Sequence, residues 1–117
     1  MKYDIKGNYF NGEFHYPPVT GPSAVDKFIT RECPSDLTQT LWRLPVDFRH
    51  IDQVLESAEN GFNFWKKLNV SERIQFLKKY QAQVEARKDQ FAEAIALEAG
   101  KPLWEAYTEA HALITKV

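Results

Sequence analysis

The chain has 117 residues, and 15 Lys and Arg against 16 Asp and Glu give it a formal net charge of -1 at neutral pH. With 44% hydrophobic and 26% charged residues, its composition is that of a folded domain and excludes disorder throughout. The balanced charge excludes the strongly basic footprint of a general nucleic-acid binder, and one cysteine, Cys33, excludes an internal disulfide framework and a cysteine-rich zinc domain.

The first residues contain no apolar run of signal-peptide length. The longest apolar stretches are a few residues, well short of the roughly 20 that cross a bilayer. We therefore expect a cytoplasmic protein with no membrane partner.

Residues 1–46 are expected to form strands and loops, because five of the six prolines lie there. Asn11-Gly12 stands between aromatic-rich flanks, and this pair tolerates the positive φ angles of a type I′ hairpin turn. Further extended segments are predicted over residues 27–31 and 38–44, where β-branched and aromatic residues are bounded by proline.

Residues 47–117 have the apolar period of helices. Asp47 is the expected N-cap of the first helix, and Asn69 with Glu72 has the spacing of a capping box for the second. The predicted core stripes are Ile51, Val54, Leu55, Ala58, Phe62 and Trp65 in the first helix, and Ile74, Leu77 and Val84 in the second.

Two further helices are predicted on either side of Gly100, which is expected to close the third helix in a left-handed conformation. Pro102 suits the first turn of the fourth. The stripes are Phe91, Ala94 and Ile95 in the third helix, and Leu103, Ala106, Tyr107, Ala110, Ile114 and Val117 in the fourth. Because the last stripe reaches Val117 without a stop signal, we expect the sequence to be cut within a longer pattern.

Charge is segregated along this helical half, with seven basic and two acidic residues between Lys66 and Lys88 and the opposite bias from Asp89 to Glu109. Solvated or mutually facing helices explain this better than nucleic-acid binding, since no aromatic stacking platform accompanies the basic stretch. His15, His50 and His111 lack metal-ligand spacing and are expected to be structural or solvent-facing. Trp42, Trp65 and Trp104 are expected to be core or interface anchors.

Three runs of sequence and their spacing resemble the N-terminal portion of aldehyde dehydrogenases: FWKKLNVSER at 64–73, EAGKP at 98–102 and WEA at 104–106. The run YFNGEF at 9–14 resembles the first hairpin of that family. Cys33-Pro34-Ser35 falls where the family usually has Asn-Pro-x-x-Gly-Glu, so the path of this loop departs from the pattern. The tail from Gly100 to Lys116 is most similar to the succinylglutamate-semialdehyde dehydrogenase branch.

The resemblance implies part of an α/β Rossmann-like cofactor-binding domain, with NAD or NADP bound by the intact, usually homo-oligomeric, enzyme. In that family a cysteine thiolate attacks the aldehyde, hydride passes to the cofactor, and a glutamate-activated water releases the acid. These groups lie downstream of the segment represented here, so no catalytic or cofactor-binding residue is assigned to this chain.

Three residues need separate interpretation. In relatives, an acidic residue at the position of Glu98 can face a monovalent cation together with early-strand carbonyls, which here would lie near Arg31 and Glu32; a solvated helix-end carboxylate is the alternative. Cys33 lacks an activating His or Lys neighbour, so we expect a loop or partly buried thiol. Lys101 is expected to complement the negative end of the preceding helix.

The sequence as it stands therefore predicts an α+β chain, with strands in 1–46 and helices in 47–117. We expect the N-terminal fragment of an NAD(P)-dependent dehydrogenase, inactive and cofactor-free alone, whose partner is the remainder of the enzyme in the same chain or a second polypeptide. The alternative is a free-standing helical interaction module without catalysis.

Overall fold

The computed structural model describes residues 2–18, 21 and 26–117, and within these residues it holds four strands followed by four helices. In chain order they are β1 (Asn8–Phe10), β2 (Glu13–His15), β3 (Phe28–Cys33), β4 (Asp36–Pro45), α1 (Ile51–Trp65), α2 (Val70–Glu85), α3 (Lys88–Ala99) and α4 (Leu103–Thr115). The predicted α+β class is confirmed.

Contacts divide the chain into two compact units, which do not follow the change from strand to helix between Pro45 and Ile51. The first unit comprises Met1–Arg31 and Thr40–Lys67, and so groups α1 with the N-terminal strands. The second unit comprises Glu32–Gln39 and Leu68–Val117, and so groups the turn between β3 and β4 with α2, α3 and α4.

The β1–β2 pair is the predicted hairpin. Its strands are antiparallel, with Tyr9 opposite Phe14, and Asn11 and Gly12 have φ angles of 52° and 82°. Positive φ at both central residues defines a type I′ turn, which explains why Asn-Gly stands there. The prediction from this dipeptide is confirmed.

Two hydrogen bonds attach the hairpin to the start of the helical sequence within the first unit. The Asn11 backbone N–H donates to Ser57 Oγ at 3.2 Å, and Asn8 Nδ2 donates to the Asp47 carbonyl at 3.3 Å. One face of the hairpin is thereby covered, and Phe10 is only 7% exposed.

Strands β3 and β4 form the second two-stranded sheet among the described residues. The two-residue turn Pro34-Ser35 joins them, and so short a connection is possible only between antiparallel strands. Residues 28–31 of the first predicted extended segment and all of the second, 38–44, lie in these strands, which extend beyond the predicted ends to Cys33 and from Asp36 to Pro45. Leu41 of β4 is fully buried, and its carbonyl accepts hydrogen bonds of 2.9 Å from the backbone N–H groups of Lys2 and Tyr3.

Helix α1 does not begin as predicted, because Asp47 is not its N-cap. The N-cap residue is His50, whose side chain makes no capping hydrogen bond. The Asp47 carboxylate instead accepts hydrogen bonds from the backbone N–H and the guanidinium of Arg49. The capping prediction required the Asp47 carboxylate to accept from the first turn of α1, but in the structure it accepts from Arg49.

Helix α2 begins at the predicted capping box. The Asn69 side chain accepts from the Glu72 N–H at 3.0 Å, and the Glu72 carboxylate accepts from the Asn69 N–H at 2.8 Å. Two backbone donors that would have no helical partner are satisfied reciprocally.

Removing this cap gives a measurable loss. Asn69→Ala should lower the free energy of unfolding of the second unit by about 1 kcal/mol, since the Glu72 N–H loses its acceptor. Ser71 lies two residues after Asn69, in the first turn of α2, and is exposed. Ser71→Ala is the matched control and should change the free energy of unfolding by less than about 0.5 kcal/mol. Chemical denaturation followed by circular dichroism measures both, and equal losses would exclude the capping explanation.

The core of the second unit is made of small residues where α3 meets α4. Ala92, Ala106 and Ala110 are fully buried there, and Ile95, Ala96 and Tyr107 pack against them. Val84 of α2 and Ile114 of α4 are also buried. Gln81 Nε2 donates to the Ile114 carbonyl at 2.8 Å, which ties α2 to the end of α4.

Much of the predicted apolar stripe of each helix is nevertheless exposed. No residue of α1 is buried, and on α2 only Val84 is. Trp104 is 73% exposed, so of the two predicted roles the core anchor is excluded and the interface anchor stays a prediction, whereas Trp42 and Trp65 are half-buried. The exposed large residues of the predicted stripes are Ile51, Val54, Leu55, Phe62, Ile74, Leu77, Phe91, Leu103 and Val117. Within the described ranges, no helix has the length and apolarity to cross a membrane.

Candidate functional site

The junction between α3 and α4 in the second unit is closely packed, because Gly100 meets the β3–β4 turn there. Gly100 closes α3 in the predicted left-handed conformation, with φ 67°, and the next N–H, that of Lys101, donates to the Ala96 carbonyl at 3.0 Å. A Cβ on Gly100 would lie 3.0 Å from Pro34 Cβ and 3.2 Å from the Ser35 nitrogen. Glycine is therefore required both by the backbone conformation and by the close approach of the turn.

Cys33 lies beside this turn as the last residue of β3 and is only 1% exposed. Its Sγ lies 3.1 Å from Ser35 Oγ, and this hydrogen bond lowers the pKa of the thiol while burial acts in the opposite direction. A nucleophile has to reach its substrate, and a thiol this buried cannot. The thiol is more deeply buried than the sequence suggested, and its position is that of a structural residue.

Lys101 has partners that the sequence interpretation missed. Its Nζ contacts Glu105 Oε1 at 3.3 Å and pairs with the Glu109 carboxylate as well. The hydrogen bond with Glu109, followed by that with Glu105, raises the pKa of Lys101. The missed signal was the spacing: Glu105 and Glu109 follow Lys101 by four and eight residues. This spacing places both carboxylates on one side of α4, so the Lys101 side chain lies along that helix and not at the end of α3.

Glu98 lies near the end of α3 and is half-buried. Among the described residues, no group of three or more His, Cys, Asp or Glu side chains is arranged to hold a metal ion. A cation held by one carboxylate and backbone carbonyls is a different arrangement, so the role of Glu98 stays a prediction.

The first unit contains an ion pair that the sequence did not predict. The Asp47 side chain is 2% exposed, and Arg49 binds it through Nε at 2.8 Å and through Nη2 at 3.0 Å. The hydrogen bonds from the Arg49 side chain and backbone hold the pKa of Asp47 at about 2, below its usual value of 3.8.

This carboxylate should make the first unit sensitive to acid. Because the unfolded chain binds the proton at a higher pH than the folded chain, the stabilisation is complete above about pH 4 and is lost as pH falls towards about 2. Asp47→Asn should remove this part of the pH dependence, whereas Asp52→Asn, at an exposed position of α1, should keep it. Thermal melts at a series of pH values measure the difference, and parallel curves for the wild type and Asp47→Asn would contradict the assignment.

A shallow groove of about 350 Å³ in the first unit lies between the hairpin and the start of α1. Its lining is mostly apolar and includes Tyr9, Phe48, Ile51, Val54 and Leu55. The polar residues at its edge, Asn8, Asp47 and His50, bring no nucleophile next to a general base. The groove can bury an apolar surface but has no arrangement for covalent chemistry.

Comparisons with known proteins agree with the resemblance seen in the sequence. The model of the aldehyde dehydrogenase family matches residues 22–117. Curated relatives include N-succinylglutamate 5-semialdehyde dehydrogenases of Paraburkholderia xenovorans (strain LB400), 43% identical over 67 residues, and of Hahella chejuensis (strain KCTC 2396), 37% identical over 67 residues. Each match covers 57% of this chain and 14% of the relative, so the chain matches about a seventh of the length of these enzymes. No solved structure gives a significant match.

Proposed function

Because the chain belongs to the aldehyde dehydrogenase family, we propose that it is the non-catalytic N-terminal part of an NAD(P)-dependent enzyme that oxidises an aldehyde to a carboxylic acid. The family match over residues 22–117 carries this proposal. The buried position of Cys33, the chain's only thiol, supports the non-catalytic role, since thioester chemistry needs an accessible thiolate, a base and an oxyanion site together.

The proposed substrate is succinylglutamate semialdehyde. The relatives quoted above carry that aldehyde in their names, and the run GKPLWEAYTE at 100–109 resembles that branch more than other branches of the family. We propose that the residues that select the aldehyde lie mostly outside this segment.

The described residues do not fit a nicotinamide cofactor. Such sites place a glycine-rich turn between a strand and the N-terminus of a helix, where backbone N–H groups bind the pyrophosphate. Here β4 leads to α1 through Val46-Asp47-Phe48-Arg49-His50, and Gly100 joins two helices. We propose that later segments hold NAD or NADP and that this chain supplies helices of the Rossmann-like domain around them.

The apolar face of α1 is where the rest of the enzyme would pack. Ile51, Leu55 and Phe62 are each more than half exposed, although they recur at helical spacing on one stripe. Burying one such side chain stabilises a protein by about 1.5–3 kcal/mol, so this stripe is expected to be covered in the intact enzyme. The proposed partner is the remainder of the dehydrogenase, and the proposed assembly is a homo-oligomer.

Left uncovered, this face should make the isolated chain self-associate. Leu55→Ser should lower the apparent association constant about tenfold, because it removes about 1.5 kcal/mol or more of apolar burial from the contact. Glu56→Gln, the neighbouring exposed residue on α1, is the matched control and should leave association unchanged. Sedimentation equilibrium measures both, and a monodisperse monomeric wild type that melts cooperatively would contradict an uncovered face.

Two measurements test the proposed function. The purified 117-residue chain should not reduce NAD⁺ or NADP⁺ in the presence of succinylglutamate semialdehyde. A protein continued with the coding sequence that follows Val117 should do so, and turnover by the isolated chain would overturn the non-catalytic role.

A free-standing helical interaction module remains the second candidate, and the exposed stripe on α1 is the observation that favours it. The transcript beyond Val117 separates the two. Continuation into further dehydrogenase sequence supports the enzyme, and a stop codon with no further reading frame supports the module. If a second polypeptide supplies the remainder, mass spectrometry of the purified complex will reveal it.

A further inference from the structure

The first unit contains two Asn-Gly dipeptides, and the structure places them in different kinds of backbone. Asn11-Gly12 forms the turn of the β1–β2 hairpin, whereas Asn60-Gly61 lies within α1. All four residues are exposed. Water therefore reaches both dipeptides, and the backbone that carries each of them is what differs.

An asparagine that precedes glycine can lose its side-chain amide without an enzyme. The glycine backbone nitrogen bonds to the asparagine Cγ, the Cγ–Nδ2 bond breaks, and the proton of the glycine N–H passes to the leaving amide nitrogen, which departs as ammonia. Glycine favours this ring closure because no Cβ shields its nitrogen. Water then opens the succinimide at one carbonyl or the other, which gives aspartate or isoaspartate. The reaction therefore needs a glycine N–H that can be released and a main chain that can rotate.

The hairpin turn meets these requirements at small cost. Asn11 has a φ angle of 52°, which is unfavourable for a residue with a Cβ, so rotation out of this conformation relieves a cost. A Cβ on Gly12 would meet nothing within 4 Å, so the turn has room to rotate. The hydrogen bond from the Asn11 N–H to Ser57 Oγ is exposed, and water can replace the partner when it breaks.

Helix α1 holds the other dipeptide in place. Asn60 and Gly61 lie between Ile51 and Trp65, the first and last residues of the helix. In an α-helix each N–H donates to the carbonyl four residues earlier, and these hydrogen bonds form and break cooperatively. The Gly61 nitrogen can reach Asn60 Cγ only if this part of α1 unwinds, so the helix protects Asn60.

We propose that Asn11 is a site of spontaneous deamidation, and that the isoaspartate formed there loosens the β1–β2 hairpin. Isoaspartate carries the main chain through its side chain, so the turn gains a methylene group. The two-residue turn sets the register of its strands, and a longer main chain disturbs the pairing of Tyr9 with Phe14. Aspartate leaves the main chain unchanged, and Asp-Gly suits the same turn. The two products carry the same new charge but differ in their effect on the hairpin.

Peptide mapping of the full 117-residue chain during incubation at mildly alkaline pH tests the site. Trypsin separates the two dipeptides into the peptides 7–27 and 50–66, and fragmentation in the mass spectrometer locates the modified asparagine in each. In the folded chain Asn11 should deamidate about tenfold faster than Asn60 or more, because opening a turn costs less than unwinding a helix. In denaturant the two rates should be equal. Equal rates in the folded chain, a faster reaction at Asn60, or an Asn11 that stays intact while the denatured chain reacts would overturn the proposal.

Variants and amide hydrogen exchange test the effect on the hairpin. Asn11→Gly should abolish the reaction in peptide 7–27, since Gly-Gly also suits the turn but has no side-chain amide. Asn60→Gln is the matched control and should leave the rate at Asn11 unchanged. In the isolated isoaspartate form, protection of β1 and β2 should fall about fivefold or more, whereas Asn11→Asp should stay within about twofold of the unmodified chain. Equal protection in the isoaspartate form and the unmodified chain would overturn the loosening of the hairpin.

Discussion

Leu41→Ala should destabilise the first unit by about 2–5 kcal/mol, the range for truncating a fully buried leucine to alanine. Leu41 has no exposed surface, and it lies on β4 where the N-terminal segment adds its own hydrogen bonds to the strand. Truncation would remove the buried methyl groups and leave a cavity that the surrounding backbone can fill only in part. Urea denaturation followed by tryptophan fluorescence, at concentrations too low for association, measures the loss.

Leu37 provides an exposed leucine on the same strand as a control, although it lies in the part of β4 that belongs to the second unit. It is 71% exposed, so Leu37→Ala removes the same atoms from water rather than from a core. The expected change is within about 0.5 kcal/mol. Similar losses for the two variants would show that strand propensity, and not burial of Leu41, carries the effect.

Gly100→Ala should destabilise the second unit by about 1–3 kcal/mol, through two causes that act together. The φ angle of 67° is unfavourable for a residue with a Cβ, and that Cβ would lie 3.0 Å from Pro34 Cβ. The β3–β4 turn, which follows the buried Cys33, would have to move away from the end of α3.

The hairpin glycine separates these causes. Gly12 also has positive φ, but a Cβ there would meet nothing within 4 Å. Gly12→Ala should therefore show the backbone cost alone, and the excess for Gly100→Ala should report the contact with the turn. Denaturation curves of both variants measure the loss in free energy of unfolding. If Gly12→Ala loses as much as Gly100→Ala or more, the close approach to the turn does not contribute to the effect at Gly100.

Local signals in the sequence predicted the features that depend on a few neighbouring residues. Asn11-Gly12 predicted the turn, Asn69 with Glu72 predicted the capping box, and Gly100 predicted the end of α3; all three are confirmed. In each case the residue type satisfies a requirement of the backbone within three or four positions, so no knowledge of the tertiary structure is needed.

Features that depend on which surfaces meet were predicted less well. The period identified the apolar stripe of α2, but whether Val84 or Leu77 is buried depends on where α4 contacts the helix, and only Val84 is. The prediction that Asp47 caps α1 was wrong, because capping and pairing with Arg49 compete for one carboxylate. The contact of His15 with His50 depends on how the hairpin packs before α1, which no spacing in the sequence encodes.

The same reasoning explains the incomplete core. Small residues suffice where α3 and α4 pack closely, as at Ala106, whereas no residue of α1 is buried. A segment of an enzyme is expected to look like this, since its helices evolved to cover surfaces that other segments supply.

A chimeric enzyme tests the central claim most directly. The N-succinylglutamate 5-semialdehyde dehydrogenase of Paraburkholderia xenovorans, 43% identical over the matching 67 residues, would carry this chain's segment in place of its own. If the chain is the non-catalytic N-terminal part of such an enzyme, the chimera should fold and oxidise the relative's aldehyde with kcat within about tenfold of the parent, because the catalytic groups are untouched. A folded chimera that binds its cofactor but has lost activity by several orders of magnitude would contradict the claim.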